Sequence, residues 1–80
     1  MEITRITITE LTKNGKPLTK PIEPIICVSE GDVRIVKNVF HRMETFAQCQ
    51  IQYSEEKLEV ETLPAGQSVS SFVELSGSFQ

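Results

Sequence analysis

One segment constrains this chain more than any other. Placed at about 100° per residue, Val33, Ile35, Val36, Val39, Phe40, Met43, Phe46 and Ala47 fall within one arc of about 160°. Arg34, Lys37, Asn38, His41, Arg42, Glu44 and Thr45 fill the opposite arc. No residue between Val33 and Ala47 breaks the segregation. The pattern predicts an amphipathic helix from about Glu30 to Gln48. Ser29-Glu30-Gly31-Asp32 opens it like a capping box with the shorter acid in third place. Glu30 and Asp32 lie where the helix dipole favours negative charge, and Glu30 to Arg34 is a favourable i,i+4 pair.

A helix with one apolar stripe needs a surface to cover, and the flanking sequence supplies strands. Residues 2 to 12 are dominated by Ile and Thr, whose branched side chains suit a pleated surface. Ile6 and Ile8 share one parity, Ile3 and Leu11 the other. The strand is therefore covered on both faces or shifted in phase by a bulge. Asn14-Gly15 then predicts a hairpin turn. Pro17, Pro21 and Pro24 remove three backbone donors, so the return is extended loop or edge strand. Ile25 to Val28 reads as a short buried strand.

After the helix the period changes to two. Cys49, Ile51 and Tyr53 alternate with Gln48, Gln50 and Gln52. Ser54-Glu55-Glu56 reads as a turn. Leu58, Val60 and Thr62 alternate with Lys57, Glu59 and Glu61, completing a hairpin with one packed and one wet face. Pro64-Ala65-Gly66 makes a second turn. Residues 67 to 75 read as a last strand, with 76–80 a loose tail that Phe79 could pin.

The expected fold is α+β. A single amphipathic helix packs on a mostly antiparallel sheet of four or five strands, in the order ββαβββ, in one domain spanning 1–80. That element order resembles the ubiquitin-like β-grasp. The resemblance rests on order alone, and it implies a fold and no activity.

The counts exclude several chemistries. No two of the four glycines are close enough to form a phosphate-cradling loop. One histidine and two cysteines, without a C-x-x-C, argue against zinc. Cys27 and Cys49 stand at opposite ends of a helix about 25 Å long, too far apart to bridge, and read as small buried apolar residues. The longest apolar run is Ile25 to Val28, so no segment spans a bilayer. No signal peptide is expected, and the thiols point to the cytoplasm. No cofactor is expected.

Two surfaces are candidates for function. Arg34, Lys37 and His41 lie within about 60° on the helix, with Arg42 further round. Up to residue 42 the chain holds seven Lys or Arg against five acids; beyond it, one against six. The helix face could dock an acidic protein or a phosphate backbone. A net charge of −3 and a pI near 5.1 disfavour nucleic acid. The other surface is the last strand, where Val69, Ser71, Val73 and Leu75 could offer an open edge to a partner or a second copy. Glu55, Glu56, Glu59 and Glu61 read as an ordinary wet sheet face. His41, with Arg34, Lys37 and Arg42 for neighbours, belongs to the basic stripe rather than to a general-base site. An 80-residue domain buries only about 60% of its unfolded surface. The expectation is thus a small non-enzymatic interaction or assembly module, self-associating or binding another protein. The alternative is a nucleic-acid module using the helix face.

Overall fold

The computed structural model describes residues 1–17 and 22–77. Within them the order is β1 (Glu2–Lys13), β2 (Lys16–Pro17), β3 (Ile25–Cys27), α1 (Glu30–Phe46), β4 (Cys49–Glu59), β5 (Gln67–Ser68) and α2 (Val69–Ser76). The fold is α+β, with both helices against a mixed, mostly antiparallel five-stranded sheet. The expectations for Pro21 and for residues 78–80, Phe79 among them, lie outside the described residues.

β1 is the centre of the sheet. One of its edges is taken along its whole length by β4, antiparallel, from Glu2 opposite Glu59 to Lys13 opposite Cys49. Its other edge is shared. β2 pairs with Thr12 and Lys13 after a turn in which Asn14 and Gly15 both adopt positive φ, 55° and 76°. β3 pairs antiparallel with Thr4 to Ile6, and β5 then lies parallel to β3. Two things account for the split parity of β1. Ile3 stays on the face away from Ile6 and is buried there, at 2% exposure, and a bulge shifts the rest of the strand: Ile8 faces Tyr53 and Glu10 faces Gln52, leaving Thr9 over. The extra residue returns Leu11 to the side of Ile6 and Ile8, so all three pack with α1.

α1 begins where its signals predict. Ser29 Oγ accepts from the Asp32 amide at 3.2 Å, and Asp32 in turn accepts from the Val28 amide at 3.1 Å. The helix stops at Phe46; Gln48, at φ 53°, turns the chain into β4. Val33, Val36, Val39, Phe40 and Met43 form the buried stripe. Ile35 and Phe46, at one rim of the predicted arc, stay 45% and 74% exposed. Ile26 turns away from this core, and Gly66 packs on it. A Cβ at Gly66 would lie 2.6 Å from the Pro24 carbonyl oxygen and 2.9 Å from an Ile26 side-chain carbon.

Four expectations are corrected. The hairpin at 54–56 does not form, and residues 49–59 are one strand. Ser54-Glu55-Glu56 contains no Gly, Asn or Pro to force a turn. β1 meanwhile offers a pairing partner at every step. The last strand is only two residues long; Val69, Ser71, Val73 and Leu75 sit on a helix. Their peptide groups are used within α2, so they offer no sheet edge. The physical reason is Phe72. Val69, Phe72, Val73 and Ser76 also satisfy helical spacing, and the helix buries Phe72 to 2% exposure beside Phe40, ring centroids 5.5 Å apart and edge-on. The described residues therefore hold two helices rather than one. The element order on which the β-grasp resemblance stood is not the one observed.

Candidate functional site

In an antiparallel strand the N–H and C=O of one residue point to the same side. The Gln52 carbonyl accepts from Thr9 Oγ of β1 at 3.1 Å. Even-numbered residues of β4 therefore turn their peptide groups inward to β1. The Ile51 amide points the other way and is met by Glu44 Oε2 of α1 at 3.2 Å. By the same alternation the peptide groups of Tyr53, Glu55 and Lys57 also face outward. Among the described residues β4 pairs with β1 alone. Its outer edge, eleven residues long, is paired by no strand among the described residues.

α1 runs along this edge. Glu30 reaches Lys57 at 3.8 Å, Lys37 reaches Glu55 at 2.7 Å, and Glu44 reaches the Ile51 amide. These positions recur at helical spacing, so Arg34 and His41 lie on the same stripe, between them. The structure thus places three of the four predicted basic residues beside the β4 edge. All four are exposed, and Arg42 lies off the stripe, on the flank with Ile35 and Phe46. The stripe is less basic than its Lys, Arg and His content suggested. Glu30 and Glu44 interrupt it, and Glu55 holds Lys37. That carboxylate, by hydrogen bond and then by charge, raises the Lys37 ammonium pKa above its ordinary value.

Glu44 is the residue the sequence reading passed over. It stands three positions after His41 on the same face, and only the position of β4 reveals its task. The acidic group is also rearranged. Because the strand is continuous, Glu55 and Glu59 share the helix-side face of β4 with Cys49, Ile51 and Tyr53, while Gln50 and Gln52 lie on the opposite face. Each of three acids has its own cation: Glu55 has Lys37, Glu56 has Arg5 at 2.7 Å, and Glu59 has the Met1 amino group at 2.9 Å. Glu61 lies beyond the strand. Among the described residues no three His, Cys, Asp or Glu side chains converge as a metal-binding group would require.

The two thiols are free and buried. Burial, with smaller contributions from Asp32 and Glu55, pushes Cys27 up to about 11. Burial likewise raises Cys49. Thiols held neutral in this way are poor nucleophiles. An open cleft between β3, residues 63–66 and the first turn of α2 is lined by Val28, Asp32, Leu63 and Ser70. Its carboxylate, Asp32, is engaged by the Val28 amide. No helix among the described residues is long and apolar enough to cross a membrane. No family model matches the chain, and neither a curated protein nor a solved structure shows significant similarity to it.

Proposed function

We propose that this chain is a small non-enzymatic interaction module that docks an extended polypeptide on the outer edge of β4. The observation that carries this reading is the unpaired eleven-residue edge. Unpaired N–H and C=O groups in a row are a template for another strand, and natural sheets normally shorten or cover them. Here, among the described residues, Glu44 covers one amide of the edge. Strand addition supplies affinity through main-chain bonds and specificity through alternate side chains. Tyr53, which stacks against Phe40 at 4.7 Å and is half-exposed, offers an apolar contact for such a strand. The buried free thiols fit a reducing compartment, and we place the protein in the cytoplasm.

Selection from a random linear peptide library tests this reading. Lys57→Pro leaves the bonds to β1 in place, because the Lys57 amide faces outward, but it obstructs an incoming strand. Expected are extended-peptide binders that Lys57→Pro loses and Arg34→Glu retains. Binders that Lys57→Pro retains undiminished would overturn it. The nucleic-acid alternative requires the reverse: binding to a random-sequence DNA duplex, steeply weakened by salt and abolished by Arg34→Glu. The carboxylates Glu30, Glu44 and Glu55 along the stripe weigh against it.

A further inference from the structure

We infer that the strand received by β4 is β4 of a second copy, antiparallel, with Ser54 on the two-fold axis. The inference rests on the open-edge reading and goes beyond it by fixing occupant and register. The outward peptide groups belong to odd-numbered residues, so a symmetric antiparallel partner must set odd against odd. The axis then passes through a residue, and charge selects which. On Glu55 or Glu56 it sets a glutamate against itself. On Lys57 it sets that lysine against itself and Glu55 against the second copy's Glu59. Like charges directly opposite are destabilising. On Ser54 the whole of Cys49–Glu59 pairs end to end. Tyr53 then faces the second copy's Glu55, Ile51 its Lys57, and Gln52 its Glu56. No like charges meet. Axes on Gln52 or Tyr53 also avoid like charges but leave the C-terminal end of the strand unpaired.

The helices accommodate this arrangement. Adjacent strands lie about 4.8 Å apart and packed helices about 8–10 Å apart, so two helices cover about four strands. α1 and α2 cover one sheet in this way, and joining two sheets at β4 brings the two α1 helices side by side. They run antiparallel. Glu44 must release the Ile51 amide, which then bonds to the second copy's strand. Glu44 is carried toward the first turns of the other α1, where Arg34 has no carboxylate partner among the described residues. The stripe at the seam carries both signs, which suits a self-complementary contact.

Ser54 is exposed on the sheet face away from α1, and cysteine is tolerated there, while the native thiols are buried. On the axis the two Ser54 positions form a non-hydrogen-bonded pair about 4.5 Å apart, within disulfide range. The experiment measures mass by light scattering over a wide concentration range and cross-linking under oxidised glutathione. Expected is a mass that doubles from 9.0 kDa with concentration, a Ser54→Cys dimer linked nearly to completion, and no link through Gln50→Cys. Lys57→Pro should remain monomeric while keeping its circular dichroism. A monomer at every concentration overturns the proposal, as does a dimer that Gln50→Cys links as readily as Ser54→Cys. Residue-resolved amide exchange separates the two failures. A monomer whose Tyr53, Glu55 and Lys57 amides exchange freely still has an open edge, and only the second copy is excluded. A monomer that protects those amides has no open edge, and both readings fall.

Discussion

Single residues carry measurable shares of the stability, in both directions. Gly66 is one: with a Cβ it would overlap the backbone at Pro24. Gly66→Ala should destabilise by about 1–3 kcal/mol, read as a lower urea midpoint. Gln48 is the opposite case, a side chain at φ 53° where glycine would sit without steric cost. Gln48→Gly should raise stability by up to about 1 kcal/mol in the same assay. Cys27 makes stability depend on pH. Its thiol ordinarily ionises at 9.0 and is pushed up to about 11 by the fold. Below pH 9 both folded and unfolded chains carry the proton, and its contribution is fully present. Between 9 and 11 the unfolded chain loses the proton first, so stability falls as pH rises, by at most about 1.4 kcal/mol per pH unit. The urea midpoint should drop between about pH 8 and about pH 10.5, and drop less in Cys27→Ala.

At the scale of elements, the two helices show what the sequence could and could not reveal. α1 was legible because five buried positions, Val33 to Met43, repeat at one period over about three turns and a serine cap opens it. β1 was legible through its Ile and Thr content; its mixed parity left coverage on both faces and a bulge as alternatives, and nothing in the sequence placed the bulge at Thr9. α2 was not legible. Its eight residues, seven of them Val, Ser, Phe or Leu and one Glu, satisfy both periods, and the choice depends on Phe40, which lies far away in sequence. Ser68 carried a signal that went unread: its hydroxyl accepts from the Ser71 amide at 3.1 Å. Ser68→Ala should therefore cost about 1 kcal/mol, whereas in a strand the change would be nearly silent. Phe72→Ala should cost about 3–5 kcal/mol, enough to unfold most of a small domain; Phe72→Leu gives a milder loss that denaturant titration can measure. The candidate site divides in the same way. Arg34, Lys37 and His41 could be placed on one helix face from spacing alone. That the face lies along a sheet edge, with Glu44 capping it, follows only from β4 being one strand, and no turn residue marks that choice either way.

For the whole molecule, the arrangement has a lopsided economy. One long strand sits at the centre, one long strand closes one side, and three short strands share the other. The long pairing joins the first residues of the described chain to residues on the far side of α1, Glu2 to Glu59 and Lys13 to Cys49. This has a consequence in time. Local contacts can form early, in the β1–β2 hairpin and in α1, but the central strand gains its main partner only after the chain has been followed through the helix and back. Loops of that length close before their contacts can reward them, which slows folding relative to helical proteins of similar size. Stopped-flow refolding should accordingly be slower than for a helical bundle of this length. During synthesis β1, with its run of Ile and Thr, waits with one side bare until β4 has left the ribosome. The strand that later presents an edge to the outside is thus the one whose arrival first covers the edge of β1.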